Sequence, residues 1–148
     1  MHDLEYSIAV EPRPEDLKAL YSGIRAFNVA VLGEYSSAQV VTAFVKDSTG
    51  QVVGGVRGEV VWSWLHIWTL WVDERMRRQG VGMKLLSKIE RHAQKQGVSR
   101  IRLETTDFQA LDFYRKLGYQ VFAELPELPP GHISYFLTKA ISGGSEQL

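Results

Sequence analysis

The sequence predicts an α/β fold, a single domain with a mixed sheet of about seven strands and helices on both faces. Segments of alternating or clustered β-favouring residues are interleaved with segments whose apolar residues recur every three or four positions. The 148 residues suit one domain, and no linker or repeat interrupts them. We expect the order β-α-α-β-β-β-α-β-α-β-β, with a domain over residues 1–140 and a flexible tail over 141–148.

The first third of the chain predicts a strand and a helix. Alternation over residues 6–10 predicts a strand, which Pro12 and Pro14 end. Pro14 suits a first helical turn, and the two acids after it face the positive helix end. Residues 26–31 either continue the helix or form a second one, and Gly33 ends it. The apolar stripe of this helix is Leu17, Leu20, Tyr21, Ile24 and Phe27.

The middle of the chain predicts three consecutive strands. Residues 39–45 and 51–58 are rich in valine and are joined by the turn residues 47–50, so they form a hairpin. Residues 65–72 are large and apolar and form the next strand. A charged segment follows it directly.

The last part predicts two helices between further strands. One helix begins near Val81, carries an apolar residue at every fourth position, and ends at Gly97. A shorter helix is capped by Thr106 or Asp107. The remaining strands are predicted over residues 99–105, 119–123 and 132–139.

Composition excludes several classes of protein. Lys+Arg and Asp+Glu both total 17, so the formal net charge is zero, unlike that of a general nucleic-acid binder. The absence of cysteine excludes disulfides, thiolate zinc sites and a cysteine nucleophile, and no metal site is predicted. The polar start lacks a secretory signal, and no apolar run approaches the roughly 20 residues of a membrane span. We expect a cytoplasmic protein with no nucleic-acid or membrane partner and a possible homodimer.

A strand, a glycine-bearing turn and a helix start meet between residues 70 and 86. Such a turn leaves backbone N–H groups unpaired at the positive end of a helix, and Gly80 and Gly82 would let an anion approach them. The pattern therefore predicts a phosphate site. An ATP loop is excluded because no Gly-Lys-Ser/Thr occurs, and a dinucleotide fingerprint fails because Leu85 replaces its third glycine.

Two motifs carry a family resemblance. Arg77-x-x-Gly80-x-Gly82 resembles the Arg/Gln-x-x-Gly-x-Gly/Ala pyrophosphate loop of the GCN5-related N-acetyltransferase (GNAT) superfamily, which binds acetyl-CoA. The segment Ala110-Leu111-Asp112-Phe113-Tyr114-Arg115-Lys116-Leu117-Gly118-Tyr119 is similar to the Ala-x-x-x-Tyr-x-x-x-Gly-Phe/Tyr helix of that family. The resemblance covers roughly residues 40–139 and favours a bacterial subgroup of small domains. It implies the GNAT fold and an acetyl-CoA cofactor.

The resemblance also implies where the cofactor lies. In this family the strand before the phosphate loop diverges from the next strand, and pantetheine runs in the gap. The backbone of residues 70–72 would hold pantetheine, and the N–H groups of the loop would hold the pyrophosphate. The implied cofactor residues are Leu70, Trp71, Val72, Arg77, Arg78, Gln79, Gly80, Val81, Gly82, Met83, Asp107, Ala110 and Tyr114.

Three side chains are candidates for the catalytic proton transfers. Tyr114 matches the family's tyrosine beside the CoA sulfur, a general acid, although it also lies on an apolar stripe and could be a core residue. His66 lies where several relatives place a catalytic Glu or His, and its alternative is a histidine packed among tryptophans. Glu104 is the second candidate base, with a surface role as its alternative. Water is the remaining possibility.

The acceptor site is predicted from aromatic residues and from the resemblance. Trp62, Trp64, His66 and Trp68 alternate, so they share a face if the segment is extended. They could wall an apolar pocket or hold an amine by cation–π contact, or they could simply pack the sheet. The predicted substrate residues are Asn28, Tyr35, Trp64, Trp68 and His132.

The resemblance therefore predicts acetyl transfer from acetyl-CoA to a primary amine of a small molecule, by direct attack in a ternary complex. The absence of a cysteine that could carry the acetyl group is consistent with direct attack. The alternatives are acetylation of a protein lysine or N-terminus, a non-catalytic acyl-CoA sensor, and an interaction module that uses the tryptophan face.

Overall fold

The computed structural model describes residues 3–141, so the predicted tail lies outside the described residues except for its first member. The chain divides into two compact units, one ending at Ser36 and the other beginning at Ser37. The single domain expected over residues 1–140 stays a prediction. No helix within the described part is both long enough and apolar enough to cross a membrane.

The first unit contains one helix, α1 (Pro14–Leu32). Pro14 opens it as predicted, with Glu15 and Asp16 in the first turn, where carboxylates face the positive end of the helix. It ends at Gly33, which adopts φ 77° and donates its N–H to the carbonyl of Val29. Residues 26–31 thus continue the first helix and do not form a second one.

The prediction of a strand over residues 6–10 is wrong. Residues 3–9 have no regular secondary structure, and no strand of the sheet lies between residues 3 and 38. Alternation of side chains makes a segment compatible with a strand, but a strand exists only where a neighbour supplies its hydrogen bonds. The sheet described for this chain therefore has six strands, one fewer than expected.

The second unit is built on that mixed sheet, which confirms the predicted fold class. Its strand order is β1-β2-β3-β4-β6-β5. The pair β3 and β4 is parallel, and the other neighbouring pairs are antiparallel. The strands are β1 (Gln39–Lys46), β2 (Val52–Val61), β3 (Trp64–Val72), β4 (Arg100–Thr106), β5 (Gln120–Pro126) and β6 (Ile133–Ala140).

Two helices pack into one core with this sheet, and a 3₁₀ turn (Glu74–Met76) precedes them. Helix α2 (Val81–Lys95) buries Leu85, Ile89 and Ala93 of the predicted stripe, each 3% exposed or less. Burying a leucine or isoleucine side chain contributes roughly 1.5–3 kcal/mol. Helix α3 (Leu111–Lys116) contributes Tyr114 to the same core. Helices on both faces of the sheet stay a prediction.

A β-bulge interrupts the pairing of β2 with β3. Arg57 pairs with Thr69 and Gly58 pairs with Ile67, so Trp68 has no partner on β2. The extra residue reverses which side chains of β3 face the core. Buried Ile67 before the bulge and half-buried Leu70 after it both contribute to the core. A side-chain carbon at Gly58 would lie 3.0 Å from the Cα of Ile67 and still closer to the carbonyl oxygen of His66.

We expect Gly58→Ala to destabilise the second unit by about 1–3 kcal/mol, because the added methyl group must displace backbone and not a flexible side chain. Urea denaturation measures this change in the free energy of unfolding. Gly23→Ala is the matched control, since nothing lies within 4 Å of the added carbon. Equal stabilities of Gly58→Ala and wild type would contradict the crowding at the bulge.

Candidate active site

The site is organised by a fork between β3 and β4. The two strands pair only from Trp64–Arg100 to Ile67–Leu103, although β3 runs on to Val72 and β4 to Thr106. The divergence implied by the resemblance is therefore present in the structure. The divergence begins after the pair Ile67–Leu103, so Trp68 at the bulge is the first residue of β3 without a partner on β4.

Beyond the fork, β3 presents backbone N–H groups to the gap. The N–H of Asp73 donates to the carbonyl of Val53 at 2.8 Å, which fixes the side of β3 that faces β2. Because N–H groups alternate along a strand, those of Leu70 and Val72 point the other way, toward the gap. A ligand with amide groups can therefore pair with β3 as a further strand would.

The turn after β3 forms a concave set of backbone donors. Arg78 has φ 62° and Gly80 has φ 77°, so left-handed residues alternate with ordinary ones, as in an anion-binding nest. Within residues 3–141, the five consecutive N–H groups from Gln79 to Met83 donate no hydrogen bond of normal geometry to another protein group. The next N–H, that of Lys84, resumes the helical pattern and donates to the carbonyl of Gly80. Such donors at a helix start bind phosphate.

The two glycines of the motif serve different purposes. Gly80 supplies the left-handed conformation that begins α2. Gly82 supplies space, because a side-chain carbon there would lie 3.3 Å from the ring of Phe113 and 3.7 Å from Val72. The start of α2 thereby packs closely against both β3 and α3.

The two arginines beside the turn also differ. The Nε of Arg77 donates to the carbonyl of Val72 at 3.1 Å, so this side chain secures the end of β3. Arg78 forms no hydrogen bond or ion pair within the described part of the chain, and its guanidinium is available to a ligand. Arg78 also accepts a conformation that costs a non-glycine residue about 1–3 kcal/mol.

Tyr114 combines a buried ring with an open hydroxyl. The residue is 6% exposed and its ring contacts those of Phe113 and Tyr119 edge-on. Burial raises the pKa of the Tyr114 phenol to about 12. Among residues 3–141 the hydroxyl has no hydrogen-bond partner, yet it is not among the atoms sealed from solvent. The phenol is therefore a protonated donor at neutral pH with a free O–H.

His66 lies in the paired part of β3, just before the fork. It is opposite Glu59 on β2 and Arg102 on β4. Burial lowers its pKa, and the charge of Arg102 lowers it further, so the imidazole is neutral at neutral pH. Glu104, two residues after Arg102 on β4, shares this face of the sheet and is exposed. The assignment of either residue as the base stays a prediction.

The predicted row of tryptophans is only partly formed. Trp62 lies in the turn between β2 and β3 with φ 53°, so its expected place in the alternation is wrong. Trp64 shares the face of His66, with the guanidinium of Arg100 5.8 Å from its ring centroid. Trp68 is 44% exposed at the bulge, and the guanidinium of Arg57 lies 5.9 Å from its ring centroid.

Asp107 and His132 form a hydrogen-bonded pair that the sequence did not reveal. The Nδ1 of His132 lies 2.8 Å from one carboxylate oxygen of Asp107, and the other oxygen accepts the N–H of Ile133 at 3.2 Å. Partial desolvation raises the Asp107 pKa, but the bonds from His132 and Ile133 outweigh it, and the pKa lies below its ordinary value. The expected capping role of Asp107 is thus replaced by a link between two loops.

The predicted substrate residues of the first unit contact each other. Asn28 Nδ2 donates to the hydroxyl of Tyr35 at 3.4 Å. Arg25 donates to the carbonyl of Tyr35 at 2.8 Å and covers its ring. Their role toward a substrate stays a prediction. Within residues 3–141, no cluster of three or more His, Asp or Glu side chains could hold a metal ion.

Comparison with known proteins agrees with this geometry. The model of the Acetyltransferase (GNAT) family matches residues 4–119. Blasticidin-S acetyltransferase from Streptomyces morookaense is 35% identical over 119 residues, which cover 80% of this chain and 88% of that protein. Acetyltransferase Atu2258 from Agrobacterium fabrum is 31% identical over 122 residues, which cover 82% and 88%.

A solved structure shares the fold over nearly the full length. An acetyltransferase from Bacillus cereus superposes with a TM-score of 0.81 at 31% identity, covering 91% of this chain and 98% of that one. The chain belongs to the GNAT acetyltransferase family, as the two motifs predicted.

The raised pKa of Tyr114 should be visible in the pH dependence of stability. Since the folded-state pKa is about 12 and the ordinary value is 10.0, this group stabilises the fold fully below pH 10. That stabilisation is lost as the pH rises toward 12. We expect the free energy of unfolding of wild type to fall more than that of Tyr114→Phe, by about 2 kcal/mol. Urea denaturation between pH 10 and 12 measures the free energy of unfolding of both proteins. An equal fall in the two proteins would contradict the raised pKa of Tyr114.

Proposed function

We propose that the protein transfers an acetyl group from acetyl-CoA to a primary amine of a small molecule, by direct attack in a ternary complex. The observation that carries the proposal is the free row of N–H groups from Gln79 to Met83 at the end of a forked strand. The nest suits a pyrophosphate, and the gap beside β3 suits the amide-bearing pantetheine arm. Acetyl-CoA would supply the acetyl group as a thioester, which an amine attacks directly.

Each residue of the site has a defined part in this scheme. The backbone of Leu70 and Val72 would orient pantetheine, and an N–H in this segment could polarise the carbonyl that is attacked. Tyr114 would give its proton to the departing sulfur, since its phenol is protonated at neutral pH and its hydroxyl is free. The acceptor amine must lose a proton to attack.

A small amine is the favoured acceptor class. The relative that is 35% identical is named for acetylation of blasticidin S, and the match spans 88% of its length. Blasticidin S is therefore the first acceptor to test. The Trp68 ring, 44% exposed where the fork opens, would suit a cationic amine in place of the Arg57 guanidinium, whereas Trp64 lies at the closed end of the pairing.

We expect calorimetry to detect acetyl-CoA binding to wild type and at least about tenfold weaker binding to Arg78→Glu. The substitution places an anion beside the pyrophosphate, where a charge-assisted contact contributes about 1.5–3 kcal/mol. Lys95→Glu is the matched control, because it makes the same change of charge at the far end of α2. Absence of binding to wild type would overturn the cofactor assignment. Equal weakening by both variants would overturn the proposed location.

We expect Tyr114→Phe to lower kcat roughly 10²- to 10⁴-fold while leaving the affinity for acetyl-CoA unchanged, since only the proton donor is removed. Release of CoA thiol from acetyl-CoA in the presence of blasticidin S measures turnover. Unchanged kcat would remove Tyr114 from the mechanism. If the protein binds acetyl-CoA but releases no CoA thiol in the presence of any amine tested, the result would favour a non-catalytic acyl-CoA sensor.

A further inference from the structure

The loop pair Asp107 and His132 lies at the open end of the fork. Asp107 follows the last residue of β4, and its N–H donates to the carbonyl of Ile133 at 3.0 Å, next to the pairing of Thr106 with Ser134. Because β3 and β4 are parallel, the gap, the phosphate nest and this pair all follow the same ends of the two strands. The pair therefore lies at the edge of the sheet that borders the gap, and the segment after Asp107 leads directly into α3, which carries Tyr114.

The hydrogen bonds fix which nitrogen of His132 is basic. The Asp107 carboxylate is ionised at neutral pH, so it can only accept, and Nδ1 of His132 must carry the proton of the 2.8 Å bond. In a neutral imidazole the lone pair then resides on Nε2. Within residues 3–141, Nε2 has no hydrogen-bond partner. The side chain is 43% exposed, so that lone pair can meet a ligand.

Three contacts hold the ring in this orientation. Phe108 packs against the imidazole edge-on with centroids 4.7 Å apart. The backbone N–H of His132 donates to the carbonyl of Pro129 at 2.9 Å. Asp107 accepts from both His132 and Ile133, a double role that an asparagine could not fill because its amide offers one acceptor oxygen.

We propose that His132 is the general base of the acetyl transfer and that Asp107 is its positioning residue, an inference that rests on the proposed function. Nε2 of His132 takes a proton from the ammonium group of the acceptor. The amine nitrogen then forms the bond to the acetyl carbon while the carbon–sulfur bond breaks. The sulfur takes the proton of Tyr114, and the phenol regains a proton from the new amide nitrogen through solvent. The products are the acetamide, CoA thiol and imidazolium, which returns its proton to water.

The first test measures thiol release with acetyl-CoA and blasticidin S. We expect His132→Ala to lower kcat roughly 10²- to 10⁴-fold with unchanged acetyl-CoA affinity, and added imidazole to restore turnover in proportion to its concentration. His92→Ala is the control, because that histidine is exposed on α2 and, among residues 3–141, forms a hydrogen bond with Gln39 and with no catalytic candidate. Full activity of His132→Ala, or a loss that imidazole does not restore, would overturn the proposal. A rescuable loss in His66→Ala alone would move the role to His66.

The second test concerns Asp107 and needs no acceptor. We expect ¹⁵N spectra of wild type, recorded with the imidazole in its neutral form, to show His132 protonated at Nδ1 and unprotonated at Nε2, and those of Asp107→Asn to lose this preference. The same variant should lose roughly 10- to 10⁴-fold in kcat, as expected when the wrong tautomer forms. A neutral His132 of wild type that carries its proton on Nε2 would overturn the positioning role of Asp107.

The two tests separate this proposal from the proposed function. If wild type binds acetyl-CoA but releases no thiol with blasticidin S, blasticidin S is not the acceptor. The ¹⁵N spectrum would still test the hydrogen bond between Asp107 and His132. A wild type that acetylates blasticidin S while His132→Ala does so equally well would overturn only the base.

Discussion

The parting of β3 from β4 is the constraint on which the rest of the site depends. A central strand that loses its neighbour exposes donors and acceptors that water or a ligand must satisfy. The last β3–β4 pair, Ile67–Leu103, directly precedes the bulge at Trp68, and Gly58 allows that bulge because a side chain there would meet the backbone of His66. The fold thus places unpaired backbone groups on strands inside the sheet, whereas such groups usually lie on edge strands.

In the proposed site, the charge that would bind the pyrophosphate comes from the backbone and not from composition. The chain is formally neutral, yet within residues 3–141 five adjacent N–H groups at the start of α2 donate no hydrogen bond of normal geometry to the protein. Arg78 and Gly80, which alternate with ordinary residues there, adopt positive φ angles, the pattern of an anion-binding nest. A protein can therefore recognise a dianionic group without a basic surface that would attract nucleic acid as well.

The two groups proposed for proton transfer gain their properties from their surroundings. Burial keeps the Tyr114 phenol protonated, while an ionised Asp107 dictates the tautomer of His132. In the proposed site, burial thus favours the proton-bearing form of the Tyr114 phenol, while the bond from Asp107 selects the ring nitrogen of His132 that carries the lone pair.

The sequence by itself determined the local elements of this protein. Periodicity predicted α2 and most strands, and the spacing of Gly80 and Gly82 predicted the phosphate loop, because helix starts and tight turns depend on neighbouring residues. Tertiary structure decided the rest. Residues 6–10 alternate but find no partner strand, and the bulge at Trp68 changes which side chains share a face. Asp107 and His132 are 25 residues apart, and only the pairing of β4 with β6 brings them together. Contacts between distant segments leave no periodic signal, since they depend on how the strands are ordered in the sheet.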